Sequence, residues 1–316
     1  FGLNENSLAV EVAANDGYLL QYFQERSVPC LGIEPTHSTA EAARAKGLEI
    51  VEEFFGEAVG RRLSNDNQPA DLMIANNVLA HVPDINDFVK GFSALLKPTG
   101  VCTFEFPSLP NLIQQNQFDT IYHEHFSYLS LTVVSKILEA NGLAVFDVEN
   151  LPTHGGSLRV FAQPTQAGVQ PLSKAVQTAL DLEANAGILG DAIYSDFQSS
   201  AEKVKNDFTA FLLEAKEQGK VVAGYGAAAK GNTLLNFAGV KSDLVSFVVD
   251  SNPSKAGKYL PGSRVPIVHE DRLTETRPDY VVIFPWNLRE EITKQLDYIR
   301  AWGGKFVIAV PHLEID

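Results

Sequence analysis

Short apolar runs alternate with amphipathic stretches along the 316 residues. Leu8–Ala13 is apolar around Val10 and Val12, breaks at Ala14-Asn15-Asp16-Gly17, and yields to Leu19, Tyr22 and Phe23 at helical spacing. Brief apolar runs bounded by turn residues read as buried strands, and apolar residues three or four apart read as helices. By the same pattern Cys30–Ile33 is a second strand ending on Glu34. A capping box at Ser38-x-x-Glu41 opens a helix that stops at Gly47. Leu48–Val51 forms a third strand and Asp71–Ala75 a fourth, running into Asn76-Asn77. A helix then starts at Asp84 with Ile85, Phe88, Val89 and Phe92 on one face, and Pro98-Thr99-Gly100 turns into a fifth strand, Val101–Phe106. Leu131, Val134, Ile137 and Leu138 give one more helical stripe, closed by Asn141-Gly142. Strands separated by helical stretches indicate βαβ crossovers and a parallel sheet.

The next two runs break this rhythm. Leu143–Glu149 and Ser157–Gln163 are both extended and are joined only by Pro152-Thr153-His154-Gly155-Gly156. That is a hairpin, so the last strand is antiparallel to its neighbour. An ordinary dinucleotide-binding sheet keeps its strands parallel, whereas the methyltransferase version ends in such a hairpin. The expected fold is therefore α/β, with a class I methyltransferase-type Rossmann sheet over residues 1–164. Residues 165–219 read as a helical bridge with Phe197, Val204, Phe208, Phe211 and Leu212 as its stripe. A second, smaller Rossmann-like α/β domain is expected over 220–316. Its strands are Val221–Gly224, Val245–Val249 (ending on Asp250), Tyr280–Phe284 and Phe306–Val310, with helices at Leu234–Phe237 and Arg289–Ala301.

Composition narrows the function classes. With 45% hydrophobic and 20% charged residues this is an ordinary globular chain. Its formal charge of −14 argues against nucleic acid or an anionic membrane as partner. No apolar run approaches bilayer-spanning length and no signal peptide opens the chain, so a cytoplasmic location is expected. Cys30 and Cys102 lie in strand-like runs and read as free thiols of a reducing compartment. Because residue 1 is Phe, a true N-terminus further upstream is expected.

Candidate chemistry concentrates where strands end, the place at which open α/β sheets bind ligands. Glu11, Ala13, Asn15 and Gly17 form a loosened E-x-G-x-G-x-G loop in which only the last glycine remains; a plain βα turn is the competing reading. Asn15 tolerates the left-handed conformation that such a loop needs. Glu34 suits the hydroxyls of a ribose, and Asn76 and Asn77 close the same cleft. Phe54-Phe55 can stack on an adenine, though two aromatics after a strand more often belong to a core. Gly224-Tyr225-Gly226-Ala227-Ala228-Ala229, with Asp250 downstream, matches a dinucleotide fingerprint; Lys230 points instead to a substrate phosphate, and close packing explains the glycines equally.

Tyr122-His123-Glu124-His125 gathers a phenol, a carboxylate and two of the seven histidines on the connection leaving strand five. Acid–base catalysis, a metal site and structural hydrogen bonding are all open. The spacing lacks a third metal ligand, and His125, oriented by Glu124 or another carboxylate, is the better base. His81 lies past strand four beside the same cleft or serves as a cap, and His154 sits in the hairpin loop.

Glu11–Gly17, Asp119-Thr120-Ile121-Tyr122-His123-Glu124-His125, His154–Val160, Gly224–Gly231 and Trp286-Asn287 together resemble the sugar C-methyltransferases of antibiotic deoxysugar pathways such as those of tylosin, novobiocin and tetronate-linked sugars. The similarity runs from about Leu8 to the C-terminus. It implies S-adenosylmethionine as methyl donor and a nucleotide-linked 4-keto-deoxysugar as acceptor, methylated beside the ketone. It places the base on His125, the motif tyrosine on Tyr122 and the strand-four histidine on His81. The C-terminal domain would help to cradle the sugar nucleotide, with Lys230, Tyr225, Asn287 and His154 as substrate contacts. Members carry an N-terminal cysteine-rich zinc domain that this chain lacks, so zinc is not expected here. An NAD-dependent sugar oxidoreductase using Gly224–Ala229 and a non-catalytic nucleotide-sugar binder are the alternatives.

Overall fold

A computed structural model describes residues 1–66 and 69–316. The chain forms two compact units, one of residues 1–110 and 124–189, the other of residues 111–123 and 190–316. No helix among the described residues is long and apolar enough to cross a membrane.

The first unit is built on β1 (Ala9–Val12), β2 (Cys30–Ile33), β3 (Ile50–Val51), β4 (Ala70–Asn76), β5 (Leu96–Pro107), β6 (Leu143–Leu151) and β7 (Ser157–Pro164). Their order is β3-β2-β1-β4-β5-β7-β6. The first five strands run parallel, and β7 inserts antiparallel between β5 and β6. This is the expected methyltransferase-type sheet with its terminal hairpin. The apolar runs are continuous rather than alternating because both faces are covered. Met73 joins a core with Phe88, Phe92, Leu131 and Leu138, whereas its neighbours Leu72 and Ile74 face Val101 and Phe146 on the other side.

Helices α1 (Leu20–Glu25), α2 (His37–Ala45), α3 (Glu57–Asp66), α4 (Ile85–Leu95), α5 (Leu109–Gln114), α6 (Leu131–Ala140) and α7 (Lys174–Asn185) complete residues 1–189. Asp84 caps α4 as expected, its Oδ1 accepting from the N–H groups of Asn86 and Asp87. The capping box at Ser38 and Glu41 does not form. Thr36 is the N-cap of α2 without a side-chain bond, and Ser38 already lies inside the helix. Glu34 holds that entrance instead, accepting from the Thr36 N–H at 2.9 Å. Helix α3 escaped the pattern because Gly60 interrupts it. A Cβ there would stand 2.4 Å from the Gly91 carbonyl oxygen, so glycine is what lets α3 and α4 cross closely. Strand β5 begins earlier than expected and absorbs Pro98-Thr99-Gly100 in a register shift against β4.

The second unit holds α8 (Ala192–Glu217), β8 (Val222–Tyr225), α9 (Ala229–Phe237), β9 (Val248–Val249), β10 (Ile267–Val268), α10 (Asp271–Thr276), β11 (Tyr280–Ile283), α11 (Arg289–Gln295), β12 (Lys305–Ile308) and β13 (Glu314–Ile315). Its sheet runs β10-β9-β8-β11-β12-β13, parallel except for β13 at the edge. The stripe of α8 holds as read, with Val204, Phe208, Phe211 and Leu212 buried. Strands β10 and β13 were not expected; two residues each are too few to show a period. Cys30 and Cys102 are free thiols.

Candidate active site

The carboxyl ends of β1, β2 and β4 surround a cleft of about 520 Å³ lined by Val12, Ala13, Ile33, Phe54, Val78 and His81, among others. Its floor is the turn after β1. Ala13, Asn15 and Gly17 all take positive φ, at 60°, 51° and 73°. The loop therefore keeps the left-handed turns of a glycine-rich cofactor loop at two positions where other residues stand. Alanine pays roughly 1–2 kcal/mol for that conformation, and asparagine less. At Gly17 a side chain would be strained by the positive φ and would also have to displace Leu48, whose Cδ1 lies 2.2 Å from the Cβ position.

Buried polar atoms without partners mark where a ligand would complete the site. Glu11 Oε2, Asn76 Oδ1 and Asn77 Oδ1 are three such atoms, at the ends of neighbouring strands β1 and β4. Buried polar groups are ordinarily paired, so three orphans at the carboxyl ends of two adjacent strands fit a polar ligand there. Burial, with the charge of Asp16 adding to it, pushes Glu11 up to about 8. Glu34 Oε2 accepts from the Asn15 N–H at 3.0 Å. Its carboxylate thus braces the loop while each oxygen keeps a lone pair for a hydroxyl. Phe55 packs edge-on against Phe88 and Phe92, in the core as expected, whereas Phe54 is 85% exposed at the cleft wall.

His81 ends a short 3₁₀ turn, Leu79–His81, just past β4. The N–H groups of Phe126 and Ser127 both donate to the Ala80 carbonyl, at 2.9 and 3.2 Å, and draw the segment after β5 onto that turn. As a result the His81 and His125 rings lie 4.8 Å apart, with Tyr128 on another side of His125 at 5.7 Å. Glu124 is exposed, and among the described residues its carboxylate has no hydrogen-bond or ion-pair partner. The aromatic neighbours flank the His125 ring instead. Tyr122 is half-buried and groups with the second unit. The segment is closed downstream by α6, whose first amides, on Leu131 and Thr132, are capped by Glu183 of α7 at 2.6 and 2.8 Å. Glu183 did not stand out in the sequence, because helix capping from 51 residues away leaves no local signature.

In the second unit Lys230 donates to Asn287 Oδ1 at 2.6 Å and stands 4.1 Å over the Trp286 ring. Trp286 Nε1 in turn donates to Asp119 Oδ2 at 2.8 Å. Asp119 is 1% exposed and its Oδ1 has no partner; burial raises its carboxyl to about 6 against the pull of Trp286 and Lys230. Burial also lowers Lys230. Lys230 and Asn287 therefore come together as a polar cluster. Tyr225 does not join their hydrogen bond: it is buried and its hydroxyl donates to Gln295 at 3.2 Å. The glycines of 224–231 are explained by close packing, since a Cβ on Gly224 or Gly231 would collide with Phe284, and one on Gly226 with Pro285. Asp250, the acid of the apparent dinucleotide fingerprint, already accepts from the Ala227 N–H and from Lys255.

One trio among the described residues, His37, Glu41 and Glu52, is close enough to share a cation. All three are exposed, and Arg44 pairs with both carboxylates at 2.8 Å.

The chain is similar to known proteins. A family model described as a C-methyltransferase C-terminal domain matches residues 152–311, and one described as a methyltransferase domain matches residues 3–148. The chain is 36% identical over 310 residues to the C-methyltransferase NovU of Streptomyces niveus, spanning 98% of this chain and 74% of that protein. Solved structures are more distant. A putative methyltransferase in complex with its activator from Haloferax volcanii is 13% identical at a TM-score of 0.42, over 52% of this chain and 84% of that one. A putative S-adenosylmethionine dependent methyltransferase from Listeria monocytogenes is 12% identical at a TM-score of 0.40, over 52% and 92%.

Proposed function

The chain belongs to the C-methyltransferase family and depends on S-adenosylmethionine, and from that premise we propose that it methylates the carbon beside the ketone of a nucleotide-linked 4-keto-deoxysugar. The observation that carries this reading is the packing of His125 against His81, which itself lines the cleft floored by Ala13. A sugar acceptor is supported by the run Asp119–His125, the most specific part of the resemblance.

Glu11, Asn76 and Asn77 would hold the cofactor through their unpartnered oxygens, and Glu34 its ribose. When bound, S-adenosylmethionine supplies an electrophilic methyl group. His125 removes the proton from the carbon beside the ketone, which is acidic because the resulting charge moves onto the ketone oxygen. His81 donates a hydrogen bond to that oxygen as the charge develops. Such general-base work is worth roughly 10²–10⁴-fold in rate. The aromatic neighbours of His125 help to keep bulk water from competing for the proton.

The test has two arms. Wild-type protein with S-adenosylmethionine and a nucleotide-linked 4-keto-deoxysugar should give a product heavier by one methylene, read by mass spectrometry. In heavy water without cofactor it should exchange the hydrogen beside the ketone, and His125→Asn should not. Exchange at the wild-type rate in that variant removes His125 from the role of base.

A further inference from the structure

His154, Gly155 and Gly156 have consecutive positive φ values of 56°, 88° and 114°. Glycine enters this region freely and histidine does not; a residue held there persists only where its surroundings over-determine it, most often at functional sites. The surroundings here are definite. The Gly156 N–H donates to the Thr153 carbonyl at 2.9 Å, and the Ser157 hydroxyl donates to the same oxygen at 3.1 Å. The Thr153 hydroxyl donates to Glu105 Oε1 at 3.1 Å, while Arg159 donates to Oε2 at 2.9 Å.

Glu105 lies near the end of β5, opposite Asn76 on one side and Arg159 on the other. It is 5% exposed, and its main-chain carbonyl accepts from the N–H of left-handed Asn77 at 2.8 Å. One residue thus touches the end of the cofactor cleft through its backbone and the hairpin turn through its side chain. The ion pair is only half buried, with Glu105 inside and the Arg159 side chain 36% exposed, so it adds little stability; fixing one geometry is the better-attested use of such a contact.

We propose that Glu105 is a positioning residue, which through Thr153 and Arg159 locks the turn that presents the exposed imidazole of His154 to the acceptor sugar nucleotide. This rests on the reading of the protein as a sugar C-methyltransferase. The strain at His154 is stored by that lock, and the contact it secures is with the acceptor rather than with the cofactor.

Three variants test it: Glu105→Ala, Thr153→Val and His154→Gly. Thr153→Val removes one hydrogen bond and should raise the acceptor KM by roughly tenfold, with S-adenosylmethionine affinity by calorimetry unchanged. Glu105→Ala should do the same and speed amide exchange over residues 153–156. His154→Gly relieves the strain, so its Tm should rise while acceptor KM also rises. An unchanged acceptor KM in both Thr153→Val and His154→Gly overturns the proposal, as does a parallel loss of cofactor affinity, which marks a merely structural role. Should Glu105→Ala not fold, Thr153→Val decides the question. If the wild-type protein methylates no keto-sugar nucleotide, the underlying reading has failed on its own account. Amide exchange then still judges the lock, and wild-type rates over 153–156 in the Glu105 and Thr153 variants reject it.

Discussion

The imidazoles of His81 and His125 stand edge to face, 4.8 Å between centres and 74° between planes. They come from the connections after two adjacent parallel strands, and main-chain bonds to Ala80 draw the two connections together. The pair is thus preorganised by the sheet, as a base and a hydrogen-bond donor should be.

Unequal losses should follow when the two rings are removed. His125→Asn should lower kcat by roughly 10²–10⁴-fold as a missing general base does, with S-adenosylmethionine binding retained. His81→Asn should cost less in kcat and also weaken cofactor binding, because His81 lines the cleft. Single-turnover kinetics with calorimetry on each variant separates these effects; equal losses in both measurements from both variants would count against distinct roles.

Glu11 makes stability depend on pH. Its ordinary value is 4.5 and burial raises it to about 8 in the folded protein. Below pH 4.5 it is protonated folded or unfolded and contributes no penalty. As pH rises from there toward about 8 the unfolded chain releases the proton while the folded protein keeps it, so stability falls through that window and levels off above it. In Glu11→Gln the fall should be smaller, by on the order of a few kcal/mol at most. Urea denaturation at the two ends of the window reads the difference, and identical pH slopes for both proteins would contradict the burial of an ionisable Glu11.

The cofactor turn should respond in opposite senses to two small substitutions. Gly17→Ala forces a side chain onto Leu48 at positive φ, and should cost about 1–2 kcal/mol from the conformation alone, along with cofactor affinity. Ala13→Gly relaxes a left-handed alanine and should stabilise by up to about 1 kcal/mol, less what the freer unfolded chain takes back. Thermal melts with and without S-adenosylmethionine give both answers.

Asp119 depends on the indole of Trp286. Trp286→Phe keeps an aromatic face for Lys230 but removes the N–H from Asp119 Oδ2, whose companion oxygen already lacks a partner. Leaving that carboxylate short of a donor should cost about 1–3 kcal/mol. Because the lost bond held the Asp119 pKa down, the variant should also lose more stability than wild type between pH 6 and 7. Denaturation midpoints across that range suffice, and a midpoint that does not move argues that the carboxylate finds another donor.

Much of this was legible in the amino acids alone. Apolar periodicity records which side of a segment is covered, a local property, and so the strands, most helices and the antiparallel hairpin could be read directly. The short edge strands and the glycine-interrupted α3 were too brief or too broken to carry a period. Motif spacing likewise indicated the cofactor turn, down to Asn15 taking a conformation that glycine usually fills. What needed the tertiary structure was the choice of partners. Asp119 meets Trp286 across 167 positions, Glu183 caps a helix 51 positions before it, and Glu105 grips a turn 48 positions after it. No periodicity encodes such pairings, because they depend on which chain ends the folded sheet brings side by side. The sequence determined what each segment wanted to bury; the fold decided which polar groups were left facing one another, and it is those meetings that make a site.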